Sequence, residues 1–164
     1  MIKKVIYWIS FFGICFILQT TLVRAISIYG VRPDLMIVAL FLFSNKFGVM
    51  AGVYVGFLLG LTQDLYSPIL GQNALSKSVV GYIGGLLNEK VIRLDPVLKG
   101  ILLIFLFTVN DFLELTVQIV KNEGSMEFVF SQLLVSTLPR AFYSLLFAVI
   151  PFLWVSIIQP AIKR

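Results

Sequence analysis

The sequence predicts an all-α polytopic integral membrane protein, with six transmembrane helices, both termini cytoplasmic, and a single transmembrane domain over residues 1–164. Three observations predict it. First, 59% of the 164 residues are hydrophobic and only 13% are charged, with a mean hydropathy of +0.99, beyond the composition of soluble domains. Second, six spans of about 20 residues consume about 120 residues, which leaves no polar stretch long enough for a soluble domain. Third, the basic residues load one side. With six spans, Lys3, Lys4, Lys46, Lys90, Arg93, Lys99, Lys163 and Arg164 are cytoplasmic, eight against the three outside, Arg24, Arg32 and Lys121. Merging the second and third spans into one would leave only Lys3, Lys4 and Lys121 inside, against the positive-inside rule. The net charge of +5 is spread between apolar runs as loop charge, so nucleic acid is discounted as a partner.

The first helix follows Lys3 and Lys4 and is apolar over 5–18. That pattern is also signal-peptide-like, but Arg24 and the hydrophobic spans that follow favour an uncleaved helix. Cys15 is the single cysteine. It excludes an intrachain disulfide and is expected to pack.

The second helix opens at Pro33-Asp34, where proline at a first helical position loses no hydrogen bond and the carboxylate meets the positive end of the dipole. Its apolar run fades after Phe43, so it reaches only ~16 Å at 1.5 Å per residue. It is expected to stop early, with Lys46 reaching the cytoplasmic interface.

The third helix carries Gly48, Gly52, Gly56 and Gly60 at steps of four, with Asp64 at the next step. This places all of them on one ridge, the four glycines covering roughly 18 Å of axis. In lipid, a row of missing side chains lets another backbone approach closely. The rest of the chain is expected to be arranged around this stretch. After a Pro/Gly-punctuated exterior turn over 65–71, the fourth helix, 72–87, repeats the small-residue theme with Ala74, Ser78, Gly81 and Gly85. Helices three and four are expected to form a tight hairpin. Lys77, about five residues into helix four, either snorkels outward or joins a charge cluster. The cytoplasmic loop 88–99 is polar and basic, a default topology signal.

Helix five, 97–120, places Asn110, Asp111 and Glu114 together, the two carboxylates on one face at i, i+3. Helix six, 128–158, contains Pro139-Arg140. Asp111 and Arg140 fall at similar depth if these helices are antiparallel. Three charges facing lipid would each cost roughly 2.5–3.5 kcal/mol, so a structural pairing of Arg140 with Asp111 and Glu114 is favoured over a ligand or proton site.

No enzyme chemistry is expected. The chain has no histidine, which removes His-based triads and His-held metals, and no glycine-rich phosphate loop is present. An aspartyl pair of Asp64 with Asp111 has no support in spacing. No cofactor and no metal are expected.

Arg32-Pro33-Asp34-Leu35, then Gly56-Phe57-Leu58-Leu59-Gly60-Leu61 with Asp64, then Leu70-Gly71-Gln72-Asn73-Ala74-Leu75 together resemble the rod shape-determining protein MreD family, in order and spacing. Pro33, Asp34, Asp64, Gly71 and Asn73 are the residues that carry the likeness; the last two helices carry no matching motif. The resemblance implies a non-enzymatic, multi-pass scaffold of the inner (plasma) membrane that supports cell shape and peptidoglycan synthesis in the elongation complex. Its implied partners are membrane lipid, an MreC-like bitopic protein, RodA and penicillin-binding peptidoglycan synthases, with MreB filaments reached indirectly. A homodimer stays open. The resemblance also implies a helix arrangement like that of energy-coupling-factor substrate-binding components, which supplies an alternative: a vitamin-binding transporter subunit. The first helix lacks the paired alanines, four apart, by which such subunits couple to their transporter core.

Overall fold

The computed structural model describes residues 2–25, 34–88, 96–122 and Thr137. Among these residues the chain forms five helices and no strand: α1 (Ile2–Ala25), α2 (Leu35–Phe47), α3 (Val49–Asp64), α4 (Gln72–Leu86) and α5 (Pro96–Asn122). The predicted sixth helix, with Pro139 and Arg140, lies outside the described residues except for Thr137, as does Pro33.

The innermost helix is α2. Leu35-Met36-Ile37-Val38-Ala39-Leu40-Phe41 offers no polar face, and none of these seven residues is more than 6% exposed, as expected of a helix that is hydrophobic all round. Asp34 caps it, accepting from the backbone N–H of Met36 at 2.9 Å and of Ile37 at 3.3 Å. Gln19 of α1 adds a second acceptor for Met36 N–H at 3.1 Å. The glycine helix α3 was expected to be the centre; instead it is peripheral. Only Gly52, Gly56, Gly60 and Asp64 of α3 are buried, while Met50, Tyr54, Phe57, Leu58 and Leu61 stand exposed on its other side.

α2 and α3 are joined at Gly48, whose φ of 88° lies in the region that side chains disfavour. The chain reverses there. Gly52 sits against the side chain of Ser44, and Gly56 against Leu40, so each step forward on α3 is a step back on α2. The merged span considered from sequence is thereby excluded: these are two antiparallel helices.

α4 is antiparallel to α3 and parallel to α2. Gly84 lies against Ser44 and Phe41, and Asn45 Nδ2 donates to the carbonyl of Leu87. α5 closes the core with Leu103, Leu106 and Phe107 against Ile37, Val38, Leu40, Phe41 and Val80. On the other side α1 packs Trp8, Phe11 and Cys15 on Met36 and Ala39. Trp8 meets Phe43 edge-on at 5.1 Å and carries the Lys46 ammonium 5.8 Å above its ring, a contact that holds Lys46 at the α1–α2 end.

Among the described residues one helical stretch, Leu98–Lys121, is long and apolar enough to cross a bilayer; Ile6–Thr21, Leu35–Phe47 and Val49–Asp64 are shorter apolar helices.

Candidate functional site

The α3–α4 contact is a seam of backbone on backbone. Gly52 and Gly81 face each other, Gly56 faces the carbonyl of Lys77, and Gly60 faces Asn73 and Ala74. Each advance of four on α3 matches a retreat of four on α4, one turn per step. A Cβ at Gly52, Gly56, Gly60, Gly81 or Gly85 would enter backbone across the seam. Gly85 rests on Val49, and Gly48 lies beside Asn88. Of the small residues expected on α4, Ala74 is buried at Gly60, but Ser78 is not the residue opposite Gly56. Ser78 is half-buried and returns its hydroxyl to the Ala74 carbonyl at 2.6 Å; the place opposite Gly56 belongs to Lys77. Gly84, which the sequence reading missed, points α4 at α2. The adjacent pair Gly84-Gly85 was the available signal, since neighbours on a helix serve different faces.

Asp64 ends the seam. The first N–H groups of a helix have no partner within it, and α4 has Gly71 at its cap position, with φ 89° and no side chain to offer. Asp64 supplies the cap from α3. Its Oδ2 accepts from Gly71 N and Ala74 N, both at 3.0 Å, and its Oδ1 from Asn73 N and Asn73 Nδ2, both at 2.9 Å. The carboxylate is 1% exposed and sits at the positive end of the α4 dipole. Asp64, Gly71 and Asn73 are thus one structural unit.

From Asn73 the polar contacts continue inward. The Lys77 ammonium, wholly buried, lies 3.4 Å from Asn73 Oδ1, 3.5 Å from Asp34 Oδ2 and 3.6 Å from Glu114 Oε1. Lys77 does not snorkel. Asp34 serves two ends: Oδ1 caps α2 and Oδ2 faces Lys77. Glu114 Oε1 also accepts from Asn110 Nδ2 at 2.8 Å and from Ser76 Oγ at 3.4 Å. Asn110 Nδ2 lies 3.3 Å from Asp111 Oδ1, and Thr137 Oγ1 donates to Asp111 Oδ2 at 2.9 Å.

The network therefore runs from Asp64 through Asn73, Lys77, Glu114 and Asn110 to Asp111 and Thr137, with Asp34 joined at Lys77. It ties α2, α3, α4 and α5 at one end of the bundle. Among the described residues the cation beside Glu114 is Lys77, the second of the two places the sequence allowed it; Arg140, expected in the same cluster, lies outside the described residues. The Asp34–Lys77 pair was also missed. Nothing in a separation of that length marks it, because it depends on α2 and α4 lying parallel. Among the described residues no three His, Cys, Asp or Glu side chains converge as metal ligands. An isolated charge in such a setting is costly, whereas a paired and hydrogen-bonded one fixes geometry.

A family model described as rod shape-determining protein MreD matches residues 1–159. No curated protein and no solved structure matches the chain.

Proposed function

The chain belongs to the rod shape-determining protein MreD family, a membrane family of rod-shape determination, and on that premise we propose that it is a non-enzymatic scaffold of the cell-elongation complex in the inner membrane. It crosses six times with both termini cytoplasmic. It holds an MreC-like bitopic protein and, through the complex, RodA and penicillin-binding synthases, with MreB filaments reached indirectly.

The observation that carries this reading, beside the family, is what the buried charges do. Asp34, Asp64 and Lys77 come from three helices and are committed to a partner charge or to a helix end, and Lys77 reaches Glu114 of a fourth. Such commitment suits a body whose shape is its function. The six-span topology draws support from the α2–α3 reversal at Gly48 together with the eight-to-three excess of basic residues. The vitamin-transporter alternative draws none from the comparisons.

Depletion in the source cells tests the proposal. Rods should round up, and the full chain supplied in trans should restore them. A growth defect cured by a single nutrient, with rod shape intact, would overturn it.

A further inference from the structure

Glu114 is held differently from the other carboxylates of the network. Asp34 caps α2, Asp64 takes four donors at the start of α4, and Asp111 accepts from Thr137. Among the described residues Glu114 meets no helix N-terminus. Its donors, Asn110 Nδ2 at 2.8 Å and Ser76 Oγ at 3.4 Å, both fall on Oε1. Its cation among the described residues is Lys77 at 3.6 Å, beyond hydrogen-bond length and shared with Asp34. Among the described residues the charged groups that face it are Lys77 from α4, Asp34 from α2 and Asp111 from α5 itself.

A second, independent observation lies beside it. Asn110 is 1% exposed, and its Oδ1 is buried without a donor, although Nδ2 of the same amide reaches both Glu114 and Asp111. A buried acceptor left unmade costs about 1–3 kcal/mol. A half-turn of the amide exchanges its oxygen and nitrogen at nearly the same positions. Oδ1 would then stand where Nδ2 now does, against Oε1, and two acceptors can share that contact only through a proton.

We propose that Glu114 is a proton-binding site within the helix bundle, with Asn110 as the positioning residue that serves both of its states. In the ionised state Asn110 Nδ2–H donates to Oε1. On protonation a proton from water forms an O–H bond at Oε1, the carboxylate charge is lost, and the new hydroxyl donates to the turned Oδ1. The same turn replaces the 3.3 Å Nδ2–H contact to Asp111 Oδ1 with an approach of two acceptors, a cost of the protonated state, and Lys77 is released toward Asp34. The site lies where α2, α4 and α5 meet, so occupancy by the proton alters the tie among three helices. This inference stands on the geometry alone and does not depend on the proposed partners.

The test is infrared difference spectroscopy on the full chain in lipid vesicles, stepping from alkaline to acid pH. The wild type should gain the carbonyl stretch of a buried protonated carboxyl. Glu114→Gln should lose that band, and Asn110→Ser should keep it at a shifted frequency. A band unchanged in Glu114→Gln, or absent from the wild type at every pH, overturns the site. So does a Glu114→Gln protein that fails to fold, since glutamine has the size and neutrality of the protonated form. An unshifted band in Asn110→Ser overturns the role of Asn110.

Discussion

The backbone carbonyl of Lys77 seats against Gly56 of α3, while the ammonium of the same residue lies between Asp34 and Glu114. One residue thus belongs to both the glycine seam and the charge network. A slip of α4 along α3 would break the two together, because the seam is periodic every four residues and the ammonium has one place to go. Register is therefore specified twice, once by shape and once by charge.

The seam predicts that Gly56→Leu or Gly60→Leu destabilises the protein far more than Val55→Leu. A side chain at either glycine enters the α4 backbone, and such overpacking costs typically 1–3 kcal/mol or more, with no hydrophobic gain in lipid to offset it. Gly13 and Gly100 are the controls, since a Cβ there meets nothing within 4 Å. Gly13→Ala and Gly100→Ala should be neutral or stabilising by up to about 1 kcal/mol from helix propensity. Thermal unfolding in detergent measures all five. Equal losses at Gly56 and Gly100 would remove the seam as the cause.

Much of this was legible in sequence because it is written in local period. Gly52, Gly56 and Gly60 at steps of four, Ala74, Gly81 and Gly85 of α4 and the helix start at Asp34 are visible without a fold; Gly48, expected on the same helical ridge, is instead the turn before α3, and Asp34 is the cap of a helix that begins at Leu35. The uninterrupted apolar run at 35–41 was an equally plain sign that α2 is buried all round. What no period carries is the pairing of parallel α2 and α4. Asp34 with Lys77, Asn45 with the Leu87 carbonyl and Gly84 with Ser44 all follow from two consecutive chain reversals, at Gly48 and over 65–71. Asp64 was readable as the next step of the stripe, but its capping of α4 needs the turn geometry that brings Gly71 back to it.

Asp64→Asn should uncouple the two helices of that hairpin. An amide replaces one acceptor oxygen with a donor, which then confronts N–H groups already pointing inward from Gly71, Asn73 and Ala74. Hydrogen bonds to charged groups contribute about 1.5–3 kcal/mol each, so a loss of at least about 2 kcal/mol is expected. Amide exchange at Asn73 and Ala74 should accelerate in the variant. Wild-type protection at those two amides would show that Asp64 does not cap α4.

The alternating direction of α2, α3 and α4 makes a topological prediction. Ser67 in the α3–α4 turn and Lys90, two residues beyond Asn88 at the other end of α4, should lie on opposite sides of the membrane. Single cysteines at these positions, in a Cys15→Ser background, should label with an impermeant thiol reagent from opposite faces of sealed vesicles. Labelling from one face would sink the six-span reading.

Lys77 offers the most direct test of whether the charge network is structural. Lys77→Met removes a wholly buried ammonium and leaves Glu114 without its cation among the described residues. Breaking one side of a buried pair costs about 3–5 kcal/mol. Adding Glu114→Gln and Asp34→Asn removes the carboxylate charges too, and asparagine still caps a helix about as well as aspartate. The triple variant should therefore recover much of the lost stability, because the desolvation cost goes with the charges. Thermal stability in detergent reads the recovery, and complementation of the depleted cells reads the function. A triple variant that is stable and restores rods makes the network a tie between helices. One that is stable but leaves the cells round shows that the charges themselves, and not only the shape they fix, are used. A triple variant no more stable than Lys77→Met would show that the Asp34–Lys77–Glu114 contacts do not set the energetics of this end of the bundle.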